Sequence, residues 1–206
     1  MQNTIKINLW TDVACPWCYV AHNSFEIAKK NFLKNNPDKK IELIIHNYMI
    51  DPNTKKTGED YLEYNERRWG SDNWTYDLKE RGKKYGCFFS NWKFWPNTLL
   101  ANQLILKGRL NNKSEEILKE CFLLTYENGE NVSLESTINK IGNKFDISDW
   151  NNKNIEKEVL EEDMIAKDNY GIDVLNKNLK KWKIWFFFIF YFFLFFWFIV
   201  FYWIFN

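Results

Sequence analysis

Residues 12–19 read Asp12-Val13-Ala14-Cys15-Pro16-Trp17-Cys18-Tyr19, and the reading of the whole chain turns on them. Two cysteines stand three apart with Pro and Trp between them. On the N-terminal side, Ile5, Ile7 and Leu9 alternate with Lys6 and Asn8, which predicts a short strand. On the C-terminal side, Ala21, Phe25, Ala28 and Phe32 recur at helical spacing, and Asn35-Asn36-Pro37 predicts the stop. The pair therefore falls where a strand hands over to a helix. An ordinary thiol is mostly protonated near neutral pH, whereas one at the first helical turn faces unpaired N–H groups and the positive end of the macrodipole. Cys15 is expected there as a nucleophilic thiolate, with Cys18 one turn on as the more buried resolving thiol. Pro16 suits the first turn, having no N–H to leave unpaired. Trp17 is expected to shield the pair from water. Such a pair exchanges disulfides through a mixed-disulfide intermediate.

Working outward, a second strand is expected at 41–48, and Asp51-Pro52-Asn53 turns the chain away. Strand, helix, strand is the opening of a parallel sheet. Helices are predicted at 59–69 and 75–85, followed by Gly70 and Gly86 as caps, and from Pro96 to Gly108. Ser114 caps a helix at 115–126, Ser133 opens another through Ile138 and Ile141, and a last one covers 154–167. The expected architecture is α/β, a thioredoxin-like fold in residues 1–174 with a helical insertion at about 55–168. Two further strands should follow Gly171, but no alternating pattern is recognisable there, so the C-terminal part of the sheet is expected to be missing or replaced.

Residues 175–183 form a basic linker, and 184–205 is an apolar run without Gly, Pro or charge. By length and by Lys180, Lys181 and Lys183 before it, the run fits a tail anchor with the catalytic domain facing the cytosol. Its composition, dominated by Phe, also fits a gene-model artefact of an AT-rich gene. Met1 to Trp10 shows no apolar leader, so no cleaved signal peptide and a reducing, cytoplasmic location are expected. A cysteine pair in that setting is more often catalytic than a static staple.

The 206 residues carry a net charge of +1 with acidic and basic residues interspersed, which argues against a nucleic-acid partner. Of the four cysteines, Cys87 and Cys121 stand alone and are expected in the core; Cys87 would lie with Phe88 and Phe89, in an aromatic stretch 88–95 lining the insertion. With His22 and His46 as the two histidines, no metal site is expected. His22 is expected on the helix surface, and His46 as a satisfied histidine at a strand end.

The stretch 12–19 resembles the opening of DsbA-like proteins, particularly the FrnE-type oxidoreductases related to 2-hydroxychromene-2-carboxylate isomerases. Asp51-Pro52-Asn53, Tyr61-Leu62 with Trp69-Gly70, Pro96-Asn97-Thr98 with Ala101, and Gly171-Ile172 extend the resemblance over about residues 4–174. It implies Cys15 and Cys18 as the redox pair, and Asn97 and Thr98 as substrate-binding residues near the active-site face. It also implies thiol or disulfide substrates, no tightly bound cofactor, and glutathione as a co-substrate. The family's Gly-Val-Pro step is not found, since Val174 is followed by Leu175, and Ala21 and Asn102 stand where the family often has Gly and His. Two alternatives stay open: a glutathione-dependent isomerase or transferase of the same fold, and a catalytically silent, membrane-anchored interaction module.

Overall fold

A computed structural model describes residues 3–170 of the chain. Strand β1 (Asn3–Thr11) pairs in parallel with β2 (Lys39–Asn47), in a register that sets Ile5 against Ile41 and Thr11 against Asn47. Helix α1 (Pro16–Asn35) makes the crossover between them, as a parallel pair requires. Both strands begin two residues before the apolar pattern marked, and β2 ends one residue short of the expected 48. Ladder hydrogen bonds extend a strand regardless of side-chain type, so the polar ends Asn3-Thr4 and Lys39-Lys40 still pair.

The rest of the described chain is helical, as expected. Helix α2 (Tyr61–Trp69) begins at Asp60, whose Oδ1 accepts from the N–H groups of Leu62 and Glu63 at 2.8 and 3.1 Å, and ends at Gly70 with φ +77°. Helices α3 (Thr75–Lys83), α4 (Leu99–Arg109), α5 (Ser114–Phe122), α6 (Glu135–Lys144) and α7 (Lys153–Tyr170) follow. An antiparallel ladder of two residues a side, β3 (Glu59–Asp60) with β4 (Phe94–Trp95), was not legible in the sequence and displaces the expected helix start at Glu59. Gly108 lies inside the last turn of α4 rather than after it. A Cβ there would overlap Ile117 of α5, so the glycine lets the two helices approach.

The helix expected at 115–126 breaks into α5 and a π-helical turn, Leu123–Asn128. Thr125 donates its hydroxyl to the carbonyl of Cys121 at 2.8 Å inside this turn, and Gly129, at φ +69°, ends it against Asn91. Tyr126 is thereby turned into the core, where it stacks on Tyr19 at 5.4 Å and meets Trp92 edge-on at 5.0 Å. Of the aromatic stretch 88–95, Phe89, Trp92 and Trp95 are buried as expected, but Phe88 is 60% exposed.

Helix α7 packs against α4 and the end of β2. Glu162 is the fastening. Its carboxylate accepts from Arg109 at 2.7 and 3.0 Å and from the backbone and side-chain N–H groups of Asn47 at 3.0 and 2.8 Å. Burial opposes the charge, yet these donors outweigh it and hold the carboxyl below its ordinary range. None of the described helices is long and apolar enough to cross a membrane. The expected linker at 175–183, the apolar run at 184–205 and any strand after Gly171 lie outside the described residues. Replacing Glu162 by Ala takes the acceptor from Asn47 and the counter-charge from Arg109, which keeps the Ile45 carbonyl, in a mostly buried place. The expected loss is about 3 kcal/mol in urea unfolding with an unchanged m-value.

Candidate active site

The strand-to-helix corner is built by one carboxylate. Asp12 ends the β1 side of the turn and is 1% exposed. Its Oδ1 accepts from the Ala14 N–H at 3.1 Å, its Oδ2 from the Ile50 N–H at 2.7 Å, and the Thr98 hydroxyl bonds to it as well. Its backbone carbonyl accepts from Cys15 N–H at 3.1 Å. The turn thus fixes where Cys15 stands, and Cys15 is the cap residue of α1, with extended backbone and Pro16 as the first helical residue.

Cys15 Sγ accepts from the Cys18 N–H at 3.3 Å, an amide that it shares with the Cys15 carbonyl at 2.9 Å, so a donor at the helix start points at sulfur. Trp17 is half-buried and packs on the core beside the pair. The burial order differs from the expectation. Cys15 is 4% exposed, whereas Cys18 is only half-buried. Cys15 faces inward because Val13 and Ala14 are drawn into the core, with Tyr126 donating its hydroxyl to the Val13 carbonyl at 2.8 Å.

The two thiols are joined by a hydrogen bond. The hydrogen bond with Cys18, reinforced by burial, raises Cys15 well above an ordinary thiol. The same bond lowers Cys18, against the penalty of burial and with help from the Asp12 N–H and the Thr11 side chain. The shared bond thus favours an anion on Cys18 over one on Cys15. For Cys15 this direction is opposite to the one that the dipole argument alone implied. That argument left out the competing donors around Cys18 and the depth of Cys15. Burial pushes the Asp12 carboxyl from 3.8 to about 6 against its three hydrogen bonds.

Asn97 and Thr98 come to different ends. Asn97 is spent on the scaffold: its N–H donates to Ser133 Oγ and its side-chain amide to the Thr54 carbonyl, both at 2.8 Å, while its Oδ1 accepts from the Leu99 N–H. Thr98 reaches the site only through Asp12 and is 3% exposed. Asn102 is buried and donates to the Tyr48 carbonyl at 3.4 Å. Cys121 is core as expected, and burial pushes Cys87 up to about 12, which leaves it inert. His46 is satisfied, stacked on Trp10 at 4.5 Å and hydrogen-bonded to Asn8 at 2.9 Å. His22, expected on the surface, is 2% exposed.

Sequence reasoning missed Asp12, Tyr126 and Glu127. Glu127 Oε1 and Oε2 accept from the N–H groups of Phe88, Phe89 and Ser90 and from the Tyr19 hydroxyl, which fixes the aromatic floor under α1. Asp12 had a signal, a carboxylate three residues before a cysteine at a strand end. The other two had none, because the π-turn that aims them has no sequence signature.

A parallel βαβ unit with two cysteines at the start of its crossover helix defines the thioredoxin-like class. The model of the DSBA-like thioredoxin domain matches residues 6–171, and the chain belongs to that family. Among solved structures, the "probable DsbA oxidoreductase" of Streptomyces coelicolor aligns with a TM-score of 0.67 at 16% identity, over 80% of this chain and 75% of that one. The structure of a 2-hydroxychromene-2-carboxylate isomerase aligns with a TM-score of 0.62 at 12% identity, over 82% of this chain and 83% of that one. At these identities the likeness is one of fold. A comparison with curated protein sequences finds no match. Membership of the family carries a thiol-oxidoreductase or isomerase type of role, with thiol or disulfide substrates in the general sense.

The raised Asp12 carboxyl binds its proton more tightly in the folded chain than in the unfolded one. Its contribution to stability is present below its ordinary 3.8 and is lost as pH rises to about 6. At about 1.4 kcal/mol per pH unit the loss is on the order of 3 kcal/mol. In Asp12→Asn, urea midpoints measured from pH 4 to 7 should lack that decline relative to the parent.

Proposed function

We propose that the chain is a thiol–disulfide oxidoreductase in which Cys15 attacks and Cys18 resolves. The observation that carries this is the Cys18 N–H directed at Cys15 Sγ at the start of α1. In this cycle the pair starts with a single proton across the Cys15–Cys18 hydrogen bond. A proton passes from Cys15 to Cys18 across their hydrogen bond, and the helix start stabilises the charge arriving on Cys15. Cys15 thiolate attacks one sulfur of a substrate disulfide, forming the mixed disulfide and releasing the other sulfur as thiolate. Asp12, with a carboxyl near pH 6, takes the proton from Cys18. Cys18 thiolate then attacks Cys15 Sγ, the internal disulfide forms, and the remaining substrate sulfur leaves. The substrate gains two electrons and the pair loses two. Run backwards, a dithiol is oxidised.

Glutathione disulfide is a fitting small substrate, since its reduction releases both halves as thiols and leaves no residue bound. Thr98 acts as a positioning residue by orienting the Asp12 carboxyl. An intact cysteine pair favours this chemistry over a glutathione-dependent isomerisation, which needs no resolving thiol.

Cys18→Ser, incubated with glutathione disulfide, should accumulate one glutathione adduct on Cys15 by mass spectrometry, whereas Cys15→Ser should not turn over. An adduct held on Cys18 in Cys15→Ser, with Cys18→Ser inert, reverses the assignment; inert variants and an inert parent remove the activity altogether. In Asp12→Asn, resolution of the mixed disulfide should slow by about 10²-fold and lose its inflection near the Asp12 pKa.

A further inference from the structure

Helix α1 carries a second group of chemistry-bearing side chains, about 10 Å along its axis from Cys15, that the redox reading does not use. His22 and Glu26 stand four apart on the helix and so share a face. Glu115, in the first turn of α5, lies opposite them. One ligand atom from each of the three lies within 4.8 Å of the others.

His22 sets this group apart from an ordinary surface cluster. It is 2% exposed, and neither ring nitrogen has a hydrogen-bond partner. The Asn23 side chain lies beside the ring, its amide N–H groups donating to the Tyr85 carbonyl and to Cys87 Sγ. Buried ring nitrogens are nearly always paired, so an orphaned imidazole needs an explanation. Burial also keeps the ring neutral, with a lone pair available.

The carboxylates already attract a cation. Lys29 Nζ bridges Glu26 Oε1 at 2.7 Å and Glu115 Oε1 at 2.8 Å. Beside the three side chains opens a cavity of about 460 Å³, which they line together with Ser114 and Lys119. It has room for metal-bound water.

We propose that His22, Glu26 and Glu115 form a binding site for one divalent first-row transition cation, of which Zn²⁺ is the representative. A nitrogen with two carboxylate oxygens suits zinc and its neighbours, whereas magnesium and calcium favour all-oxygen sets. Lys29 is the competing internal cation. When its ammonium swings away into solvent, the two carboxylates close on the metal with the imidazole, and water completes the coordination. The +2 ion then neutralises the two carboxylates more fully than the single lysine does. The site ties α5 of the helical insertion to the helix that bears the cysteine pair, and it stands independently of the redox reading.

The test uses the full-length chain in detergent with Cys15→Ser and Cys18→Ser, so that those thiolates cannot ligate. Zn²⁺ is titrated by calorimetry and Co²⁺ by visible absorption. One equivalent should bind. Lys29→Met should tighten binding, because the competitor is gone, while His22→Gln and Glu115→Gln should each weaken it by about tenfold or more. Glu115 is partly exposed, so its variant keeps the test open if His22→Gln fails to fold. No Zn²⁺ binding up to millimolar metal, affinity unmoved by Glu115→Gln, or weaker binding in Lys29→Met overturns the proposal.

Discussion

The carboxyl of Asp12 is where separate parts of the chain are tied into one corner. It receives the N–H of Ala14 in the cysteine loop, the N–H of Ile50 beyond β2, and the hydroxyl of Thr98 at the start of α4. Without it, three donors would be buried unpaired, each at about 1–3 kcal/mol. The same burial that makes these bonds necessary also penalises the charge, so the carboxyl titrates near pH 6 rather than near 4. A structural fastening and a group able to exchange a proton with a thiol are one side chain here. The corner gives up some stability at neutral pH to hold both.

Below the corner lies an aromatic floor. Tyr19, Phe89, Trp92, Phe122 and Tyr126 contact one another in stacked and edge-on pairs, with Tyr64 stacked on Trp95 at 4.0 Å alongside. Such pairs add to plain area burial and favour defined ring angles, which limits how the loop above can move. The π-turn is the device that brings Tyr126 into this floor. Its hydroxyl reaches the Val13 carbonyl and draws the cysteine loop inward, which accounts for the depth of Cys15.

Electrostatics along α1 change with distance from its start. At Cys15 and Cys18 the thiol–thiol hydrogen bond, burial and the donors around Cys18 shift the two sulfurs in opposite directions. Further along, Lys29 balances Glu26 and Glu115 beside a neutral, unpartnered imidazole. Both groups sit between α1 and the segments packed on it, where partial desolvation strengthens any charge interaction.

The sequence by itself determined the βαβ opening, the helical insertion and the position of Cys15 and Cys18, because periodicity and caps are local properties. Alternation at Ile5–Leu9, the spacing Ala21–Phe25–Ala28–Phe32, and Gly70 after α2 each report conformation within a few residues. Only the tertiary structure decided how deep each sulfur lies, that Asn97 is spent on Ser133 and Thr54, and that His22 faces inward beside Glu115. These outcomes depend on partners distant in the chain, Ile50 and Thr98 for Asp12, Tyr126 for Val13, Glu115 for Lys29. No local pattern records a contact that exists only once the segments have packed.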